Sequence, residues 1–486
     1  MEKVNGRKLS LIFIFILILL VIALLVGKLT FSYLGPTLGE DLSNEGEVTA
    51  SGDTLIFTKG SNLSLSATTD NFQTGGSNLS STTNPKVRLI ASSKTNSASA
   101  TYYVGVVINS NTYTYTTSDN TAEVILTIKD ENGNNVTSGV DGLTYVTSGG
   151  VSGFDVTGKT GLFNIKTDYP ISTTSSSTGT THTWTFTLTF VNLGTDQSEN
   201  ENASMNVDIY LQKTKIPSTL ADVCTSGVNL ADCIITLNDK STSSVSNIYY
   251  HDSSLVNGAG DNSYRYAGAS DSVNNYICLG SDAATCPDAN LFRIIGVFGD
   301  QTKVIRAKSV GNKQWNTSDD NTWSSSSLNT YLNGEYLTSL GTIADKIATT
   351  TWKVGGGSWS NIVTSVPKTA YQNEVGSSAS STTDEAKIGL MYVSDYGFAA
   401  DQSGWTTKLS SYDSNTSKNW LYLGSYEWTI SRTSDFTLSA FGVHSTGYVY
   451  DNIVDDSNGV RPSFNLLSST TYVSGSGSMS DPMRMK

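Results

Sequence analysis

From Leu9 to Val26 the chain is apolar at every position except Ser10, a run of 18 residues. Wound as a helix it spans about 27 Å, close to the hydrocarbon thickness of a bilayer. Lys3, Arg7 and Lys8 precede it, and Glu40, Asp41, Glu45 and Glu47 follow. The positive-inside rule then predicts a cytoplasmic stub over 1–8, a transmembrane helix over 9–26, and a bulk chain outside the cell. A cleaved signal peptide is the competing reading, but its apolar region is usually about 7 to 15 residues long and ends at a small-x-small site. Phe31 to Pro36 offers no such site, so a retained anchor is expected.

Residues 27–50 have no apolar period and read as a polar stalk. Between 51 and 216 the pattern changes to short β-branched and aromatic runs: Thr54–Phe57, Lys86–Ile90, Tyr102–Ile108, Ala122–Ile128, Trp184–Val191 and Met205–Leu211. Turn signals such as Asn132-Gly133 and Asp141-Gly142 lie between them, and no helical period stands out. An all-β sandwich is predicted. Its clearest strand alternates Trp184, Phe186, Leu188 and Phe190 with threonines, the signature of one buried face. Ser172–Thr181 reads as a Ser- and Thr-rich loop.

Pro217 marks the expected boundary with a second domain, 217–486, of mixed α+β character. Leu291–Phe298 and Thr302–Arg306 form a strand pair turned at Gly299-Asp300. Two short amphipathic helices are expected, one carrying Leu328, Tyr331, Leu332 and Tyr336, the other Leu340, Ile343, Ala344 and Ile347. Ile388–Val393, Trp420–Leu423, Tyr426–Ile430, Tyr448–Tyr450 and Pro462–Leu466 read as short strands.

Composition narrows the function classes. The 486 residues carry 43 acids against 30 Lys and Arg, a net charge of −13, with no basic run past the first residues, which argues against nucleic acid as a partner. Only 3 His and 4 Cys are present, too few for a His-rich metal centre or a multi-cysteine zinc array. Cys224 with Cys233 and Cys278 with Cys286 lack the C-x-x-C spacing of redox and zinc sites. Four cysteines allow three pairings; the two local ones are favoured, as disulfides of an exported protein.

The ordered series LFRIIGVFGDQTKVIRAKS, TWSSSSLNTYLNGEYL, KIGLMYVSDYGFA, WLYLGSYEWTISR and NGVRPSFNL resembles a family of uncharacterised membrane-anchored surface proteins of Gram-positive, mainly gut, bacteria. Their C-terminal domain is in turn similar to the superfold shared by C-type lectins and formylglycine-generating enzymes. The resemblance covers roughly 217–486. It implies a C-type-lectin-like domain whose ligand-binding loop follows the Trp-rich strand and precedes the Gly-x-Arg strand, here Thr433–Asn458.

Within that loop Phe436, Phe441, His444, Tyr448, Tyr450, Asp451, Asp455 and Asp456 combine flat faces for stacking with acceptors for hydroxyls or amines, and these eight are the candidate binding residues. The plain alternative is that Phe436 and Phe441 close a small core and the aspartates solvate turns. The loop lacks Lys, Glu, Gln, Met and Trp, so variation of Asn codons reaches every residue in it, as in the hypervariable lectin targets of diversity-generating retroelements. Flanking it, Trp428, Glu427, Arg432 and Arg461 are expected to be structural. Arg461 is a charge inside an apolar strand and needs a partner, for which Glu427 is the candidate.

Enzyme signatures are sparse. No cysteine follows Cys286, so the copper-oxidase chemistry of formylglycine-generating enzymes does not carry over, and the calcium-sugar motifs of lectins are missing too. No cofactor and no metal is expected. His182, His251 and His444 lack a nucleophile-elbow motif. Glycoside hydrolysis needs two carboxylates across a cleft, and Glu427 with Asp395 or Asp451 is a pairing of the kind that any chain with 43 acids permits. The expected function is therefore non-catalytic recognition or adhesion at the cell surface, with a glycan or protein ligand. An extracytoplasmic hydrolase acting on polysaccharide and a structural surface or matrix protein are the rivals.

Overall fold

The computed structural model describes residues 46–486 apart from 51, 73 and 74. The stub, the apolar run 9–26 and nearly all of the stalk lie outside these residues. Among the described residues no helix is long and apolar enough to cross a membrane. The chain is mostly β-sheet with few helices.

Residues 46–212 build a two-layer sandwich. One layer has the strand order 161–173, 98–111, 204–212, 63–66. Its central pair, Ala98–Asn111 and Gly161–Thr173, are long antiparallel strands of 14 and 13 residues. The other layer consists of two sheets linked by continuing chain. Leu79–Thr83 and Lys86–Ile90 bend between them at Pro85, and Thr180–Thr183 and Thr185–Phe190 bend at Trp184, whose amide donates to the Pro85 carbonyl at 3.0 Å. Trp184, Phe186, Leu188 and Phe190 are all buried, as the alternation required. Trp184 additionally donates its indole N–H to Tyr102 Oη at 2.9 Å, so the residue at the sheet switch has no unsatisfied donor.

Three parts of the sandwich depart from expectation. Gly161–Thr173 is a strand although its apolar residues alternate poorly. Thr144–Ser148 pairs with Val151–Asp155 about the turn at Gly149-Gly150. Ser172, Thr173, Thr180 and Thr181 are strand residues, so the loop shrinks to 174–179. Each is a short polar-rich edge or long spanning strand whose burial comes from one face alone, where local pattern is weakest.

The second half has its own buried cluster, joined to the sandwich core by a small apolar contact of Val107, Tyr210, Ile216 and Val245. Its larger sheet runs in the order 388–389, 463–466, 301–306, 291–298, 276–278, 483–485, 472–474. Between Arg306 and Ser463 the chain returns to this sheet only at Ile388-Gly389 and builds a second one, ordered 312–314, 457–459, 427–432, 439–443, 449–453. Trp315, Trp323, Trp352, Trp405, Trp420 and Trp428 are buried in this half.

The first predicted helix is present as an α-turn over Ser327–Tyr331 running through a π-turn into Leu337–Ser339, and the second is a 3-10 segment, Gly341–Lys346. Of their expected stripes, Leu328, Leu332, Tyr336, Leu340, Ile343 and Ile347 are buried, while Tyr331 and Ala344 are half-buried against the same core. Two predicted strands are corrected. Only Ile388-Gly389 of the first is strand, because Asp395 caps a helix over Val393–Phe398 by accepting the Tyr392 amide at 2.9 Å. Trp420–Leu423 is a turn whose carbonyls serve two buried arginines. The helix Leu230–Lys240 was overlooked, although Leu230, Ile234 and Leu237 stand at i, i+4 and i+7.

Both cysteine pairs are disulfides, Cys224–Cys233 and Cys278–Cys286, as their spacing suggested.

Candidate functional site

The segment 433–458 is chiefly a β-hairpin, not an open loop. Ser439–Val443 pairs with Val449–Ile453, with Phe441 opposite Asp451, Gly442 opposite Tyr450 and Val443 opposite Val449. Alternation then sorts five of the eight candidates onto two faces. Phe441, Val443 and Val449 point into the core, and Phe441 is wholly buried. It is a core residue and not a ligand contact. Asp451 shares its face at the sheet edge, half-buried, which raises its carboxyl above the usual carboxylate range. With Phe441, Val443, Val449 and Val454 all buried, free variation of the whole segment would destroy the core, so hypervariability does not fit this stretch as a unit.

The opposite face carries His444, Tyr448 and Tyr450, and the structure adds a fourth ring, Tyr426. His444 is stacked on Tyr448, centroids 4.3 Å apart at 14°, and meets Tyr426 and Tyr450 edge-on at 4.6 and 5.5 Å. Its Nε2 is 2.9 Å from Tyr426 Oη, and its Nδ1 lies 2.9 Å from Thr446 Oγ1, fixing the ring in the hairpin turn. Asn458 donates to Tyr450 Oη at 3.0 Å. Burial pushes the Tyr450 hydroxyl up to about 12, so it stays protonated. Tyr426 is 43% exposed, and His444 and Tyr448 are half-exposed. Gly442 makes the arrangement possible: a Cβ there would sit 2.6 Å from the Glu427 carbonyl and 3.3 Å from Tyr450 Cε1.

The remaining candidates lie elsewhere. Phe436 is 62% exposed on the segment 433–438, which Asn321 organises by donating to the carbonyls of Thr433, Phe436 and Ser439. Asp455 and Asp456 are exposed in the turn before Ser457; the Asp455 carbonyl accepts from Gln314 at 2.6 Å, and the Asp456 charge acts on the Tyr450 hydroxyl. Tyr426 was missed because it precedes the strand proper, where its exposure is set by the tertiary pairing.

The frame residues behave as a frame. Arg461 grips Glu427 in a bidentate pair, Nε to Oε1 at 2.5 Å and Nη2 to Oε2 at 2.9 Å, with neither side chain more than 2% exposed. Nη2 also donates to the Leu421 carbonyl at 2.6 Å. Arg432 donates to the Gly355 carbonyl and to Asn321 Oδ1, both at 3.2 Å. Trp428 is buried and donates to the Lys313 carbonyl at 2.9 Å.

A second ionic group lies deep in the domain. Asp395 takes Lys303 at 2.6 Å and Arg265 at 3.3 Å, and Arg265 also holds Asp261 at 2.7 Å. Tyr392, Trp352 and Phe298 surround the Lys303 ammonium. Thus Glu427 and Asp395, two of the acids considered for glycoside hydrolysis, are buried and paired with cations. Glu374, also buried, has no cation; it accepts the Val393 and Ser394 amides at 3.0 and 2.8 Å and bonds the Ser431 hydroxyl. Burial raises its pKa.

The other histidines are internal fittings. His182 Nδ1 is 2.9 Å from Tyr102 Oη. His251 is buried against Phe398 and Trp405 and accepts the Ala259 amide at 3.0 Å. Among the described residues no group of three or more His, Cys, Asp and Glu is arranged to hold a metal ion. A shallow cleft of about 490 Å³ lies beside Tyr250, Asp252 and Gln402, but the Tyr250 hydroxyl donates to Asn262 Oδ1 and the Asp252 carboxylate accepts the Ser254 and Leu255 amides.

Residues 299–468 match a domain of unknown function, DUF6273. The match covers roughly a third of the chain, opening at the turn before Gln301–Arg306 and closing just after Ser463–Leu466, which pairs with that strand. No curated protein and no solved structure matches the chain. The matched stretch contains the four rings and the Glu427–Arg461 pair, and excludes both disulfides and the C-terminal hairpin.

Proposed function

We propose that this is a surface recognition protein, anchored by its N-terminal apolar run with the bulk outside the cell, whose C-terminal half binds a glycan through the Tyr426–His444–Tyr448–Tyr450 face. The observation that carries the reading is that face itself. Four rings with neutral hydrogen-bonding neighbours, Thr446 and Asn458, are held open to solvent on a sheet whose other side is packed into the core. Pyranose rings offer apolar C–H faces for stacking and hydroxyls for the phenols, and among the described residues no Asp, Glu, Lys or Arg side chain is hydrogen-bonded to the four rings.

The long excursion from a core sheet into a second small sheet, with the last strand returning beside an early one, is consistent with a C-type-lectin-like architecture. Two disulfides suit an oxidising compartment. The burial and pairing of Glu427 and Asp395 favour recognition over hydrolysis. Screening the full chain on arrays of neutral, acidic and amino glycans tests the proposal. Binding should concentrate on neutral glycans and weaken about tenfold or more with Tyr448→Ala or Tyr426→Ala, near 1.4 kcal/mol per ring. Binding that survives both substitutions, or no glycan binding at all, overturns it.

A further inference from the structure

The last 17 residues, 470–486, fold back as a hairpin of Tyr472–Ser474 with Met483–Met485, closed by Thr471 and Lys486 exchanging both backbone bonds. Its attachments converge on the two disulfide rings. At one end, Gly227 donates to the Tyr472 carbonyl at 2.8 Å, Tyr472 to Val228 at 2.8 Å and Leu230 to Thr470 at 2.9 Å, all within the ring closed by Cys224–Cys233. At the other, Met483–Met485 lies parallel to Tyr276–Cys278, with Arg484 opposite Cys278. Arg484 reaches into the second ring: Nη1 donates to the Ser281 carbonyl at 2.7 Å and contacts Cys278 Sγ at 3.2 Å, while Nη2 donates to Ala283 and Ala284 at 2.8 and 3.3 Å.

The second ring is anchored at its start, where Cys278 and Leu279 are buried and Leu279 exchanges bonds with Asn290, but not over its far side. Residues 282–285 are exposed, and the three carbonyls that meet one guanidinium belong to a short segment with no apolar anchor. Covalent closure restricts that segment, which otherwise has backbone freedom to lose before its carbonyls converge. Both rings and the hairpin lie outside the DUF6273 match, whose first and last strands already pair with each other.

We propose that the two disulfide rings form a thiol-sensitive clasp on the C-terminal hairpin, so that a dithiol reductant frees residues 470–486 while the 299–468 fold persists. A reductant thiolate attacks one ring sulfur to give a mixed disulfide and a free cysteine thiolate. The reductant's second thiol then displaces the remaining cysteine and leaves as a cyclic disulfide, its two electrons and two protons ending on the paired cysteines. Release uncovers the Ile277 edge of the sheet and the otherwise buried Tyr472 and Met483.

Hydrogen exchange of the full chain, with and without dithiothreitol and with thiols counted, tests this. On reduction, protection at Tyr276, Leu230, Tyr472 and Lys486 should fall by at least about tenfold, while Gln301–Arg306 and Ser463–Leu466 keep theirs. Unchanged protection over 470–486 with four thiols free overturns the proposal, as does simultaneous loss of protection in Ser463–Leu466. In the oxidised chain, Arg484→Gln should speed exchange over 483–486; no change overturns the assignment of Arg484. Cys224→Ser/Cys233→Ser and Cys278→Ser/Cys286→Ser, made as separate pairs, should each loosen the end of the hairpin that their ring holds.

Discussion

Replacing Arg461 by Met leaves the Glu427 carboxylate without its two guanidinium bonds in a site only 1% exposed. Breaking one side of a buried ion pair costs about 3–5 kcal/mol, because the surviving charge is stranded away from water. The Leu421 carbonyl also loses its donor, which adds about 1 kcal/mol. Removing both charges with Glu427→Leu/Arg461→Met should restore most of this loss, since apolar residues of similar volume replace buried pairs at little net cost. With an m-value of about 3 kcal/mol per M, the single variant's total of about 4–6 kcal/mol should lower the urea midpoint by roughly 1.3–2 M, and the double variant should lower it by much less. Six of the buried tryptophans lie in this half of the chain, so their fluorescence follows its unfolding. A single variant losing less than about 1 kcal/mol, or a double variant losing as much as the single, would refute the assignment of Glu427 and Arg461 to the frame. Glu427→Gln separates frame from chemistry further. It should shift stability while leaving ligand affinity unchanged, whereas a hydrolase would lose turnover with little loss of stability.

The other expectations concern single sites. Gly442→Ala should displace Tyr450, costing about 1–3 kcal/mol in thermal melts and weakening glycan binding in parallel. Burial, with the Arg265 guanidinium nearby, lowers the His251 pKa to about 3. Its contribution is therefore present above the unfolded value of about 6.5 and lost as pH falls through its depressed folded value, and His251→Gln should flatten that limb of a stability-against-pH curve. Glu374 has the opposite sign. Its pKa is raised by burial above 4.5, so it favours the fold below that pH and loses its contribution as pH rises through its folded value. Glu374→Gln should remove that decline, and a curve identical to the parent's would contradict the burial argument. Trp184→Ala should cost about 3–5 kcal/mol in the sandwich, read by circular dichroism at the β-sheet minimum, since it empties the sheet switch and leaves Tyr102 Oη without the indole N–H it accepts.

What the sequence revealed follows from how far each interaction reaches along the chain. The stripe Trp184 to Phe190 was legible because one strand declares its own buried face. The Glu427–Arg461 pair was legible because a charge in an apolar strand demands a counter-charge. Asp395 was not, since its partners Lys303 and Arg265 stand 92 and 130 residues away and nothing local marks them. The binding face falls between these cases. Val443 and Val449 against His444, Tyr448 and Tyr450 is a period-2 pattern, but the turn at Ser445–Gly447 interrupts it, so the stretch reads as an aromatic loop. Reading it as a loop gathers Phe441 and Asp451 with the tyrosines; reading it as a hairpin divides them at once, because residues directly opposite across the pair must share a face. Tyr426 needs one step more. It joins His444 only after the Glu427–Arg432 strand is laid beside Ser439–Val443, with Glu427 opposite Val443. The side chains that make a recognition surface are those that strand pairing leaves outside, and the pairing is a tertiary fact that local composition does not carry.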